Sequence, residues 1–426
     1  MNPQPATNPN SPDRRGSFLH LFEGYGIEME YMIVDAGDLS ILPAADRILS
    51  AAAGEIVSEV ARGEIAWSNE LVLHVIELKT NGPAGRLAGL AARFQESVRE
   101  INDILAPMDG RLMPTAAHPW MDPIRDTRLW PHQYSPIYAA YDRIFGCRGH
   151  GWSNLQSVHV NLPFFDDAEL GRLHAAIRLV LPIMPALTAS SPILDGAQTP
   201  YLDARMEVYR HNSARIPSVT GRVIPEPVYD RATYEKEILA PMYRDVAPLD
   251  PEGVLQEEFL NARGAIARFE RNTIEIRVLD IGECPMVDLA AAGLIISAIR
   301  GLVDEQWQDW EAQKGWPVAP LANILPAVIR DADRAVLTDP GYLRLFGYPA
   351  APPCTVGDLW AHIRESCRAD VDMDPEGNAA LDLILSRGPL ARRILGTLAG
   401  DFRRERLAEV YGELCGCLAD GRLFTG

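Results

Sequence analysis

Polar residues break into the apolar runs of this chain with a period of two in three places. In Gly26-Ile27-Glu28-Met29-Glu30-Tyr31-Met32-Ile33-Val34-Asp35, Glu28 and Glu30 alternate with Ile27, Met29 and Tyr31. In 157–164 (SVHVNLPF), Ser157, His159 and Asn161 alternate with Val158, Val160 and Leu162. In 273–281 (TIEIRVLDI), Glu275 and Arg277 alternate with Ile274, Ile276 and Val278. Successive side chains on a strand point to opposite faces, so each segment predicts a strand with one apolar and one polar face. A fourth run, 70–80 (ELVLHVIELKT), reads as a strand that stops at Asn81-Gly82-Pro83.

Between these runs the period changes. Leu87, Leu90, Ala91, Phe94, Val98, Ile101 and Leu105 recur at helical spacing and predict a helix over 86–105. Asp166 and Asp167 are positioned to cap a helix running to Pro182 or Pro185. Pro285 opens a long apolar helix to about Leu302, and from about 310 the chain patterns as helical. The Pro- and Gly-rich stretch 190–227 reads as a long ordered loop. Strands and helices do not alternate strictly, and the strands are half polar. The predicted class is therefore α+β, with a mainly antiparallel sheet that has one chemical face and one helix-covered face.

Composition narrows the field. The chain has 426 residues, 47% hydrophobic and 23% charged, as expected of a globular protein with a sizeable core. We expect a Pro-, Asn- and Ser-rich disordered leader over 1–17 and one catalytic domain over 18–426. That domain divides into a sheet-bearing core, 18–305, and a helical C-terminal part, 306–426. A net charge of −18 disfavours nucleic acid and anionic membranes as partners. The start of the chain has no apolar signal-peptide core, and no stretch reaches the ~20 apolar residues of a membrane span. The expected location is the cytoplasm. Six scattered cysteines, including Cys415 and Cys417, are expected to be reduced structural thiols. Base rates favour a homodimer.

Two like charges side by side on a strand repel unless a cation lies between them. Glu28 and Glu30 are thus either solvated on an exposed strand or ligands of a hard ion such as Mg²⁺ or Mn²⁺. Glu275 beside Arg277 is either a simple ion pair or a metal ligand next to a phosphate clamp, since Arg matches phosphate oxygens bidentately. His159 alone is as consistent with a hydrogen-bonded core histidine as with a ligand. Glu77 lies in an apolar run, where a carboxylate is costly unless paired or metal-bound. Glu70, seven residues earlier, reaches the same face only from a preceding loop or through a bulge. The glycine-rich segment 146–156 (GCRGHGWSNLQ) reads equally as a lid or an ordinary turn. No GxxxxGK[ST], GxGxxG, GxSxG or HExxH motif occurs, so any ATP phosphates would be held by metals and arginines.

Six segments, in order, resemble one family: GIEMEY, NELVLHVIELKTNGP, SVHVNLPF, LTASSPILDG, DARMEVYR and TIEIRVLD. They are similar in order and approximate spacing to the glutamate–cysteine ligase family of bacteria and plants with its carboxylate–amine ligase relatives, over about residues 24–300. The resemblance implies a glutamine synthetase-like fold: a curved antiparallel sheet whose concave face holds ATP and two or three Mg²⁺ (or Mn²⁺) ions. By motif it implies Glu28, Glu30, Glu77 and Glu275 as metal ligands, joined by Glu70 and His159. It implies Arg277 as the γ-phosphate clamp, Asn161 beside the nucleotide, and Arg205 and Arg210 as binders of the amino-acid carboxylate. Arg277 and Glu77 are the expected catalytic residues. The implied reaction is ATP-dependent amide formation through an acyl phosphate, with glutamate's γ-carboxylate as the acid and a small amine as acceptor. Asp203-Ala204 before Arg205 and His211-Asn212-Ser213 after Arg210 depart from the pattern of glutathione-pathway enzymes, and no motif identifies a pocket for a thiol. The rival expectations are a phosphotransferase of the guanidino-kinase type, which shares the superfamily fold, and a catalytically silent ATP- or metal-binding regulator. A metal-dependent hydrolase is disfavoured by the lack of a paired-histidine site.

Overall fold

The computed structural model describes residues 18–349, 351–367 and 373–426. The expected leader, 1–17, lies outside the described residues. An eight-stranded sheet organises the molecule. Its strands are β1 (Gly26–Asp35), β2 (Glu59–Arg62), β3 (Ile65–Asn69), β4 (Val75–Thr80), β5 (Gly110–Met113), β6 (Ser157–Pro163) and, after a small separate hairpin of β7 (Ile193–Leu194) and β8 (Ala197–Gln198), β9 (Ala265–Arg268) and β10 (Thr273–Asp280). The order is β2-β3-β4-β1-β6-β10-β9, with β5 on the C-terminal half of β1, and every pairing is antiparallel.

The alternation seen in the sequence sets the two faces. Ile27, Met29, Tyr31, Ile76, Leu78, Val158, Val160, Leu162, Ile274 and Ile276 are buried in one hydrophobic cluster. Helices Leu90–Leu105, Asp167–Val180 and Pro285–Val303 contribute their apolar residues to the same cluster. Asp166 caps the second helix by accepting from the Glu169 amide, as its position predicts. Pro285–Val303 is the one described helix long and apolar enough to cross a membrane, and 89% of that apolar window is buried inside the molecule, which makes it a core helix here.

Two expectations need correction. The apolar run 70–80 is not one strand: β4 begins at Val75, and Glu70–His74 form the connection from β3. Neither β4–β1 nor β4–β3 contains a bulge, so Glu70 reaches the polar face from a loop. The stretch 190–227 is broken by the β7–β8 hairpin and short helices at Ala204–Tyr209 and Pro217–Thr220.

The C-terminal helices Leu390–Leu398 and Arg404–Asp420 pack on the far end of β1 and on β5 through Met32, Val34, Met113, Leu407 and Leu414. A buried Arg393–Glu283 ion pair ties them to the turn after β10. All six cysteines are buried and none is in a disulfide.

One buried histidine makes stability depend on pH. His118 is fully buried, with Nε2 2.7 Å from the Leu39 carbonyl and Nδ1 accepting from the Trp120 amide, a pattern that fits the neutral ring. Burial lowers its pKa to about 3, and Arg404 adds to the effect. The folded pKa is below the unfolded one, so this contribution is complete above about pH 6.5 and is lost as pH falls toward 3. The unfolding free energy of His118→Gln should therefore fall less steeply than that of the parent, by about 1.4 kcal/mol per pH unit between pH 6 and 4. Urea titrations at several pH values test this; parallel curves for the two proteins would show that His118 takes up no proton on unfolding.

Candidate functional site

The uncovered face of the sheet gathers the polar residues of four neighbouring strands. Glu28 on β1 stands opposite His159 on β6 and Lys79 on β4, and Glu30 stands opposite Glu77. Asn161 on β6 stands between Gly26 on β1 and Glu275 on β10. A β-carbon at Gly26 would lie 2.9 Å from that of Asn161, so only glycine lets Asn161 lean across. The Asn161 Nδ2 donates to Glu28 at 3.1 Å, while its buried Oδ1 has no partner among the described residues.

The closest grouping is Glu28, His159 and Glu275, whose ligand atoms all lie within 4.8 Å of one another. His159 Nδ1 is 3.0 Å from Glu28 Oε2 and 4.0 Å from Glu275 Oε1, and its Nε2 is 4.0 Å from Glu30. Ser157 holds Glu30 in place with its amide, at 2.7 Å, and its hydroxyl, at 2.9 Å. Glu77 accepts from Ser68 and pairs with Lys79 at 3.2 Å. The Glu70 carboxylate accepts from the neighbouring Leu71 amide, at 3.2 Å.

Crowding of carboxylates sets the local electrostatics. Burial pushes Glu70 well above the usual carboxylate range, and the charges of Glu30 and Glu77 push it further. Glu77 is raised by burial and by Glu28, against the pull of Lys79 and Ser68. Burial would also raise Glu28, but the hydrogen bond and charge of His159, with Lys79 and Arg271, outweigh it and hold the carboxyl at about 2. Burial opposes a charged His159, yet Glu28 and Glu30 lift its pKa above the ordinary value. A divalent cation among these carboxylates would relieve the repulsion that raises Glu70 and Glu77. Several carboxylates, one imidazole and the unpartnered Asn161 oxygen on rigid strands form a donor set suited to Mg²⁺ or Mn²⁺.

Cations border the acids. Arg277 Nε lies 3.3 Å from Glu275 Oε1, and Arg268 bonds the other oxygen at 2.8 Å. Between Ile276 and Leu279 a bulge sets Arg277 and Val278 against the single residue His159. Beyond it, Asp280 is opposite Ser157 and accepts from the Ser190 amide and the Ser191 hydroxyl, at 2.9 Å each. Asp280 also pairs with Arg205 at 3.4 Å, and Arg205 donates to the Arg277 carbonyl at 2.9 Å.

Three cavities run side by side across this face. One of about 460 Å³ is bounded by Gly26, Lys79, Pro83, Asn161 and Arg271. A middle one of about 380 Å³ contains Glu28, Glu70, Glu77, His159, Glu275 and Arg277. The third, about 470 Å³, has Glu30, Arg205, Arg277 and several aromatic rings in its walls. The middle cavity shares Glu28 and Lys79 with the first and His159 and Arg277 with the third.

The structure therefore brings together Glu28, Glu30, Glu70, Glu77, His159, Asn161, Glu275, Arg277 and Arg205. Arg210 stands apart: it lines none of these cavities and pairs with Glu207 at 2.7 Å. Five residues along a helix turn it well away from Arg205, whereas Tyr209, four along, shares that face. The segment 146–156 forms a wall of the third cavity through Gly151, Trp152 and Leu155. Asn212 donates to the Gly151 carbonyl, and a β-carbon at 151 would displace the end of the Asn212 side chain.

The sequence reading missed Lys79, Arg268, Arg271 and Asp280. Lys79 was open to the same period-two count that found Glu28 and Glu30. Arg268 and Arg271 belong to a hairpin whose first strand is too short to pattern.

The model of glutamate–cysteine ligase family 2 matches residues 25–343. The chain belongs to this family. Among relatives of this glutamate–cysteine ligase family 2 member is an uncharacterized protein of Archaeoglobus fulgidus, 36% identical over 281 residues that make up 66% of this chain and 75% of that one. A Salinispora tropica protein named "Putative glutamate–cysteine ligase 2" is 30% identical over 71% of this chain and 69% of its own. A Rhodopirellula baltica protein of the same name is 27% identical over 43% of this chain, and that match spans about half of the relative, 47%. The fold is similar to that of Francisella tularensis glutamate–cysteine ligase in complex with AMP, with a TM-score of 0.61 at 12% identity over 93% of this chain and 88% of that one. It also resembles a bifunctional glutathione synthetase of Pasteurella multocida, with a TM-score of 0.56 at 15% identity over 93% of this chain and 52% of that one. These likenesses establish the glutamine synthetase-like fold.

Proposed function

We propose that this protein is an ATP- and Mg²⁺-dependent carboxylate–amine ligase that activates the γ-carboxylate of glutamate. The observation that carries the reading is the row of three adjoining cavities with the acidic cluster and Arg277 in the middle one. ATP enters the cavity beside Asn161 and Lys79, and its phosphates extend toward Arg271, Arg268 and Arg277. Glu28, Glu30, Glu77, His159 and Glu275, with Glu70 from its loop, hold the divalent ions. Bound there, the ions supply charge neutralisation on the phosphate oxygens.

Arg277 holds the γ-phosphoryl group and offsets the charge that spreads over its oxygens. Arg205, held by Asp280, orients the acid substrate so that a carboxylate oxygen attacks the γ-phosphorus in line, and the bond to ADP breaks. The amine nitrogen then attacks the acyl carbon. The carbon–oxygen bond to phosphate breaks, phosphate leaves, and the nitrogen gives up its proton as the amide forms. The aromatic wall of the third cavity keeps water from the acyl phosphate.

The test uses hydroxylamine as a small universal acceptor. With glutamate, ATP and Mg²⁺, ADP and a glutamyl hydroxamate should appear in equal amounts, and neither should form without Mg²⁺. ADP formed with no hydroxamate would favour a phosphotransferase. The absence of ADP with glutamate would remove glutamate as the acid.

A further inference from the structure

The lining of the third cavity is of two kinds. Glu30, His159, Arg205 and Arg277 are charged and hydrogen-bonding groups of the site already described. Much of the rest is made of rings: Tyr138 and Tyr141 from helix Ser135–Phe145, Trp152, Tyr209 beside Arg205, and Phe259. Each is partly buried, and Tyr138, Tyr141, Tyr209 and Phe259 rest against the hydrophobic core.

The tyrosine hydroxyls are occupied by the protein, whereas the Trp152 Nε1 is buried without a partner among the described residues. The Tyr138 hydroxyl accepts from Asn69 at 3.0 Å. The Tyr141 hydroxyl donates to the Phe259 carbonyl at 3.3 Å, and that of Tyr209 to the Arg263 carbonyl at 3.5 Å. The wall therefore presents ring faces, with Ile137, Leu155 and Leu260 filling between them. At the rim Tyr134 is 47% exposed and holds a left-handed backbone, φ 74°. That conformation is strained for a bulky residue and fits a functional position.

A short thiol side chain would cover little of this surface, and among the described residues no sulfur, thiol or other soft partner lines the cavity. Apolar walls with a few convergent polar groups favour ligands that bury apolar area against them, and aromatic pairs add to that attraction. Resting on the ligase reading above, we propose that the acceptor is a primary amine bearing an aromatic or bulky apolar group. The ring lies between Tyr138, Tyr141, Trp152 and Phe259, and the amine nitrogen points at the acyl carbon beside Arg277.

Two measurements separate this proposal from the ligase reading. The first is kcat/KM for ADP release with glutamate, ATP and Mg²⁺, using 2-phenylethylamine, L-phenylalanine, L-cysteine and ammonia as acceptors. At least one aryl amine should exceed cysteine by 100-fold or more. Equal or better use of cysteine or ammonia would overturn the acceptor class while leaving the ligase reading intact. The second is calorimetric binding of 2-phenylethylamine to the full chain in the presence of Mg²⁺ and a non-hydrolysable ATP analogue. Tyr138→Ala and Trp152→Ala should each weaken it at least tenfold with nucleotide affinity unchanged. Binding of the aryl amine, lost in both variants, with no ADP release from any pair would retain the aromatic site and remove the ligase reading. No binding of 2-phenylethylamine or L-phenylalanine would overturn the aromatic site itself.

Discussion

Replacing Glu28 by glutamine should lower kcat/KM for Mg²⁺- and ATP-dependent turnover by at least 10³-fold, about 4 kcal/mol of transition-state stabilisation. The same change should leave the unfolding midpoint nearly unmoved. Glutamine keeps the size of the side chain and an oxygen that can still accept from Asn161 or His159, each now near 3 Å from the carboxylate. The substitution removes the negative charge, and with it one attraction for a divalent ion and the partner that raises the pKa of His159. Relief of repulsion toward Glu77 offsets part of the lost hydrogen bonding. Loss of Mn²⁺ binding, measured by electron paramagnetic resonance, should parallel loss of turnover. Full activity in Glu28→Gln would take this carboxylate out of the metal site, and a large fall in stability would make its role structural.

The second large effect is expected at Arg205, where two consequences must be separated. Arg205 is 2% exposed and its partner Asp280 is fully buried. Burial raises Asp280 against the pull of Arg205, and burial with the charge of Asp280 drives neighbouring Asp203 well above the carboxylate range. The trio is balanced when Arg205 is positive, Asp280 negative and Asp203 neutral. Arg205→Ala leaves Asp280 without its counter-charge, which should cost about 3–5 kcal/mol of stability, on top of any loss of substrate binding. Arg205→Lys keeps the charge and gives up the planar fork. For the lysine variant we expect a rise of at least tenfold in KM for the acid substrate and an unfolding midpoint close to that of the parent. An unchanged KM in Arg205→Lys would confine the residue to bracing the fold. Asp203→Asn, which keeps the oxygen that accepts from the Met206 amide, should affect neither property.

Much of this site was legible because a strand repeats every two residues. Glu28 with Glu30, His159 with Asn161, and Glu275 with Arg277 fall on one face by counting, and the structure places them there. Counting fails where the period changes. Asp280 is five residues beyond Glu275, so strict alternation assigns it to the apolar side, and the bulge at Arg277–Val278 reverses that. Arg205 and Arg210 look equivalent as a basic pair in sequence, but helical geometry sends only Arg205 to the cavity. β3 (Ile65–Asn69) is buried along its whole length, so it shows no alternation that would mark it as a strand. The aromatic wall was not legible. Tyr138, Trp152, Tyr209 and Phe259 come from four separate segments, and nothing local in any of them specifies that they meet.

The bulge in β10 gives this region an odd–even logic. A substitution changes what a residue is but not which side of the sheet it occupies. Loss of a single residue at 277–278 would remove the bulge yet leave Leu279 opposite Val158 and Asp280 opposite Ser157, as they stand now. A ladder that ran on regularly with both residues kept would instead turn Leu279 toward the cavities and Asp280 into the helices behind the sheet. The extra residue, absorbed at one point of the strand, thus decides whether Arg205 meets a carboxylate or a leucine.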